Sequence, residues 1–286
     1  MVAVKYVTTL HYFGKGEFVR MSTSRRIENR RKAKKALSEF ISYPDDKLII
    51  HYSCESFADK PDGSSPRITS IAVRHLGSGQ TTSFSIHQIA EREGHSIDAI
   101  EKEYNVLEKM MLDEFYKYVS NHQKCKWLHW NMRDINYGFQ ALDHRYKVLK
   151  GNPIEISESH RFDLSRLLID IYGNNYIEQP RLQKLMEKNK INNEGFLKGE
   201  DEPAAFKNKE YVKLHQSTLR KVNILDQIIK HYEKGTLKTN ANGKDIYGGY
   251  AAAIGEILKE HWLATIIGFI SAIGGIFAIV IQILPK

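Results

Sequence analysis

Apolar and polar positions along the chain fall into two regimes. Up to about residue 260 they alternate over short windows, and from Trp262 to Leu284 the alternation stops. Three early runs, LIIHYSCES from Leu48, RITSIAVRHL from Arg67 and TTSFSIHQI from Thr81, are rich in β-branched and aromatic residues. Turn formers separate them, Pro61, Asp62 and Gly63 first and Gly77 to Gly79 second, so they predict antiparallel strands. Ile100, Tyr104, Leu107, Met111 and Phe115 recur at helical spacing and predict a helix over about 97–119. A fourth short strand is expected at KCKWLHW, then helices over about 135–149, 164–172, 181–189 and 206–232. A Gly- and Asn-bearing segment, 235–250, leads from the last of these towards the apolar run, and no internal repeat is present.

The apolar run, WLATIIGFISAIGGIFAIVIQIL, is 23 residues long, and no Asp, Glu, Lys or Arg occurs from His261 to Pro285. As a helix it measures about 34 Å, against a hydrocarbon core of about 30 Å. It predicts a single membrane span, with Lys259 and Trp262 at one interface and Lys286 at the other, inserted as a tail anchor. Ala264, Gly268 and Ala272 repeat every four residues, and Ser271 and Gly275 do so on a neighbouring stripe. Small residues let helix backbones approach closely, and Thr265, Ser271 and Gln282 add polar groups that are costly facing lipid. The stripe therefore reads either as a packing face for an oligomeric pore or as part of a plain monomeric anchor.

Composition narrows the class of the remainder. The 42% hydrophobic content supports a core, which excludes a disordered chain. Two cysteines, Cys54 and Cys125, fit no metal spacing or disulfide framework, and the alternating start MVAVKYVTTLHYFGKGEF lacks signal-peptide form, so a cytoplasmic soluble part is expected. No phosphate-binding glycine loop or zinc spacing occurs, and neither a cofactor nor a metal is predicted. The formal charge is +8, from 42 Lys+Arg against 34 Asp+Glu. It concentrates between Arg20 and Phe40, as a solvated helix face or a phosphate-contacting patch. The expected organisation is a basic segment over 1–40, a domain over 41–234, a linker and juxtamembrane helix over 235–260, and the membrane helix over 261–286.

Within 48–232 the element order and several residues resemble the DEDD-type 3′-5′ exonucleases of the ribonuclease-H-like class. That resemblance implies an α/β fold with a mixed sheet flanked by helices. The family's Asp-x-Glu motif corresponds to Ser53-Cys54-Glu55. WLHWNMRDINYGF resembles the second motif through His129, Asn131 and Asp134, one residue short in its spacing. HQSTLRK resembles the third, with His215 at the general-base position and Arg220 where an aspartate would hold metal. Such enzymes use four carboxylates to hold two divalent ions, and here a serine and an arginine replace two of them. The resemblance therefore implies a pseudo-exonuclease, a groove that holds a single strand without cutting it. Phe57, Trp130 and Tyr137 are its candidate stacking groups, Asn131 a polar contact, and Arg133, Arg220 and Lys221 its phosphate contacts.

A strand-binding domain on a small-residue membrane helix also resembles the membrane effectors of Hailong antiphage systems. That likeness implies a single-pass protein of the bacterial inner membrane, with its soluble domain cytoplasmic. It further implies a homo-oligomeric, tetrameric ion channel controlled by a single-stranded oligonucleotide, DNA in preference to RNA, made by a partner nucleotidyltransferase. Two other readings stay open, an active metal-dependent exonuclease with other acids as ligands, and a tail-anchored protein-binding scaffold.

Overall fold

β1 (Lys47–Cys54) is buried at all of its positions, the signature of a central strand covered on both faces. The computed structural model describes residues 15–56, 65–133 and 136–249. Phe57, Asp134 and the apolar run with Ala264, Thr265, Gly268, Ser271, Ala272, Gly275 and Gln282 lie outside them. Among the described residues no helix is long and apolar enough to cross a membrane.

A five-stranded mixed sheet forms the centre, in the order β3-β2-β1-β4-β5. β2 (Ile68–His75) runs antiparallel to β1 and to β3 (Thr81–Ser85), whereas β4 (Lys126–His129) and β5 (Arg161–Asp163) run parallel to β1. The chain is thus α/β with helices on both sides of a mixed sheet, the architecture that the resemblance implies, whereas the patterning predicts antiparallel pairing for β1, β2 and β3 only. Side chains alternate between faces along a strand. Leu48, Ile50, Tyr52 and Cys54 of β1 join one core, with Leu107, Met111 and Phe115 of α3 (Tyr104–Asn121). Ile49 joins the other, with Leu164 and Leu168 of α5 (Leu164–Tyr172) and Val222 and Leu225 of α8 (Tyr211–Glu233).

Several boundaries depart from the sequence expectation, each for a local reason. The run from Thr81 leaves the sheet at Ser85 and continues as α2 (Ile86–Arg92), because Ile86, Ile89 and Ala90 are buried at helical, not alternating, spacing. Residues 97–99 form a separate 3₁₀ turn with Ile97 exposed, so the following helix starts only at Tyr104. The helix placed over 135–149 starts at Phe139, as α4 (Phe139–Val148), after an extended Gly138. The helix expected from 206 is two helices, α7 (Glu202–Lys207) and α8, broken where Lys209 takes a φ of +59°. β5 escapes any periodicity because it contributes only three residues.

The basic stretch and the segment after 235 pack onto this body. Ala33, Leu37 and Phe40 of α1 (Lys15–Ser42) enter the second core, and Leu237 packs against it. Arg26 of α1 donates to the carbonyls of Asp170 in α5 and Asp245 in α9 (Gly243–Tyr247), and the Arg30 guanidinium lies over the Tyr247 ring. Gly173, just past α5, has φ +96°, and a Cβ there would stand 2.7 Å from the Asp245 carbonyl oxygen. Part of the anticipated phosphate-contacting patch is therefore occupied with holding α5 and α9 together.

Candidate functional site

The carboxyl ends of parallel strands open into a crevice where their outgoing connections diverge, a common location for ligand sites in α/β sheets. Here that crevice is a cavity of about 610 Å³. Its walls come from His51 of β1, Trp130 and Asn131 directly after β4, Tyr137 before α4 and Ser165 in the first turn of α5. The start of α6 (Arg181–Lys188), the loop from Phe196 to Glu200 and Lys221 of α8 complete it.

Two polar clusters shape the walls. Asp163, at the end of β5, caps α5 by accepting from the Ser165 N–H at 3.0 Å, and it accepts from the Asn131 N–H at 3.1 Å. Its other oxygen lies 2.9 Å from Nε of Arg133. One carboxylate thereby fixes the exit of β4, the start of α5 and a wall cation. Asn131 has φ +60°, a left-handed conformation that Asn tolerates better than most residues.

The second cluster forms the floor. Tyr137 stacks on Tyr52 with ring centroids 4.5 Å apart, and its hydroxyl donates to the Tyr52 carbonyl at 3.0 Å. That hydroxyl also lies 3.3 Å from Nδ1 of His51. Burial, with Lys221 nearby, holds the His51 imidazole well below its ordinary pKa, so it is neutral at physiological pH. Lys221 donates to Oε1 of Glu202, and Ser53 donates to Oε2 at 3.4 Å. Burial pushes the Glu202 carboxyl above the usual range, against the opposing pull of Lys221. The ammonium group of Lys221 also lies 5.5 Å from the centre of the Phe196 ring.

Charge in the cavity is predominantly positive. Among the described residues Arg133, Arg181, Lys198 and Lys221 line it with Glu200, 3.9 Å from Lys198, while Asp163 and Glu202 behind the lining pair with Arg133 and Lys221. The α6 N-terminus faces it as well, with Pro180 as N-cap and no side chain capping the first amides. Free N–H groups and the helix dipole favour an anion there. Arginines, lysines and aromatic surfaces around one crevice can receive a ligand that is both anionic and planar.

Compared with protein families, curated proteins and solved structures, the chain matches none.

The sequence candidates separate into those that share this cavity and those that do not. Trp130, Asn131, Arg133, Tyr137 and Lys221 all line it, and Ser53 lies behind its floor through Glu202. Glu55 instead pairs with Arg67 and lines a different cavity with Glu101 and Phe206. A register shift in β1 between Ser53 and Cys54 precedes this divergence. His215 faces α2, its ring 5.1 Å from that of His87. Arg220 is half-buried and donates to the Glu194 carbonyl at 2.7 Å, so the α8 residue that reaches the sheet is its neighbour Lys221. Arg220, expected where the family holds metal, therefore does not line this cavity. Side chains one residue apart on a helix diverge by about 100°. Among the described residues no three His, Cys, Asp or Glu side chains converge in a way that could hold a metal ion.

His51, Phe196, Arg181 and Lys198 were missed. A signal for His51 existed: after Lys47, His51 and Ser53 are polar residues spaced by two in an apolar strand, hence on one face. No local signal marks Phe196, Arg181 or Lys198, whose segments reach the cavity only through the tertiary fold.

Proposed function

We propose that this domain is a ribonuclease-H-like, exonuclease-derived module that holds a single-stranded oligonucleotide, DNA in preference to RNA, and does not cut it. One observation carries the reading: a cavity at the carboxyl ends of β1 and β4 that combines four cations and an uncapped helix start with the rings of Trp130, Tyr137 and Phe196. Phosphates suit the cations, and bases suit the aromatic faces. The strand order β3-β2-β1-β4-β5, with β2 alone reversed, agrees with a ribonuclease-H-like sheet. The floor adds to the argument for holding over cutting. In the floor the Lys221 ammonium is bound to buried Glu202, to which Ser53 also bonds, and a carboxylate already held by a fixed cation is a poor ligand for a divalent ion.

Joined to the apolar run 262–284, such a domain works as the sensor of an antiphage membrane effector. Strand occupancy favours one arrangement of a homo-oligomer, a tetramer on the Hailong likeness, and its change opens a channel. The strand must bind one state more tightly, by about 3 kcal/mol for a hundredfold shift. Titration of the full chain in detergent with labelled single-stranded DNA, followed by fluorescence anisotropy, tests the binding step. Saturable binding that weakens with salt and leaves the strand intact in Mg²⁺ supports the proposal. Release of mononucleotides in Mg²⁺, or no binding of any strand, overturns it.

A further inference from the structure

A second, smaller cavity of about 210 Å³ adjoins the first, and Arg133 lines both. His129, Phe139, Arg161, Asp163 and Glu158 also border it. Arg161 lies with its guanidinium over the Phe139 ring, 4.8 Å from the centroid. Its Nε and Nη2 are shielded from solvent, and neither finds a hydrogen-bond acceptor. These two donors form one edge of the guanidinium plane, the edge that pairs side-on with two oxygens of a phosphate or carboxylate. The nearest paired carboxylate, Glu155, is 3.6 Å from Nη2, beyond hydrogen-bond length, and its side chain is 77% exposed. Asp163 is ion-paired with Arg133 at 2.9 Å although its Oδ2 makes no hydrogen bond, and Glu158 is exposed at the rim.

Leaving both donors of a bidentate edge shielded and unbonded is unfavourable, and a small turn of the guanidinium onto an entering oxyanion relieves it. His129 adds a donor. Its Nδ1 accepts from the Met132 N–H at 3.1 Å, which leaves the proton of the neutral ring on Nε2. Burial lowers its pKa to about 4, so the ring stays neutral at physiological pH.

We propose that this second cavity is a phosphomonoester site, in which Arg161 receives the terminal phosphate of the strand lying in the adjoining cleft. The assignment of the phosphate to a strand end rests on the oligonucleotide reading above; the capture of a phosphomonoester by Arg161 does not.

The test uses the full chain in detergent and labelled strands of one sequence, carrying a 5′-phosphate, a 3′-phosphate or hydroxyls at both ends. One phosphorylated form is expected to bind about tenfold more tightly than the hydroxyl form. Arg161→Gln should erase that preference and leave the hydroxyl-ended strand unaffected. Arg161→Lys, which keeps the charge and loses the bidentate edge, should erase most of it. Equal affinity for all three strands overturns the terminal-phosphate site while the cleft proposal stands. If no strand binds, the cleft proposal fails, and inorganic phosphate and adenosine monophosphate become the probes. Thermal stabilisation by either that is lost in Arg161→Gln sustains a site for free phosphomonoesters, and its absence overturns the site altogether.

Discussion

Lys221 of α8 and Glu202 of α7 meet in a buried ion pair beneath the cleft, with their side chains 5% and 0% exposed. Ser53 of β1 bonds to the same carboxylate, so strand and two helices converge on one charge pair. Breaking such a pair leaves an uncompensated buried charge, whereas replacing both members removes the charges together. Lys221→Met is expected to cost about 3–5 kcal/mol in urea unfolding. The double variant Lys221→Met, Glu202→Leu should recover most of that loss; a double variant as unstable as the single one would contradict the pair's role.

Acid should weaken the fold through its buried imidazoles. Burial lowers His129 and His215 to about 4, while an unfolded histidine titrates near 6.5. Between those values the unfolded chain binds more protons, so their contribution is complete above about pH 6.5 and is lost as pH falls towards 4. The urea midpoint should therefore drop across that window. Nε2 of His215 has no hydrogen-bond partner, so His215→Leu should change stability little at pH 7 and flatten the pH dependence.

Cation removal separates phosphate recognition from general stickiness. Arg181→Ala and Lys198→Ala should each weaken strand binding and reduce the slope of log affinity against log salt, by about 0.7 for every phosphate left without its cation. Arg220→Ala, outside the cleft, should leave both quantities unchanged. Identical losses in all three variants would argue against the cavity as the binding site.

Gly173→Ala should detach α9 from α5. A positive φ disfavours alanine, and the new methyl group would stand 2.7 Å from the Asp245 carbonyl oxygen. About 1–3 kcal/mol of local strain is expected, visible as faster proteolysis around 243–249 with little change in the sheet's hydrogen exchange.

A chain ended after Lys259 should leave the membrane fraction and lose any ability to depolarise cells that express it. Equal depolarisation by the shortened and complete chains would refute the pore.

Class and core were legible in the sequence because burial imposes short-range periods. A strand alternates every two residues and a helix returns after three or four, so β1, β2, β4, α5 and α6 were visible within a few residues of their ends. The resemblance to the exonuclease motifs, not periodicity, brought Trp130, Asn131, Arg133, Tyr137 and Lys221 forward as candidates. It erred where chemistry depends on direction, since Arg220 and Lys221 are neighbours in the chain and project to different sides of α8. Adjacent letters carry no record of which side a helix will bury.

Other parts belonged to the tertiary structure alone. β5 is a strand because β4 offers it a parallel edge, and Asp163 matters because that pairing brings it beside Arg133 and the start of α5. Phe196, Arg181 and Lys198 reach the cleft through loops and a helix that only the packing of α6 and α8 positions. Composition determined that the chain folds around an apolar centre and carries excess positive charge. Where that charge gathers was decided by long-range contacts, because electrostatic and hydrogen-bond partners are set by distance in space and not by separation along the chain.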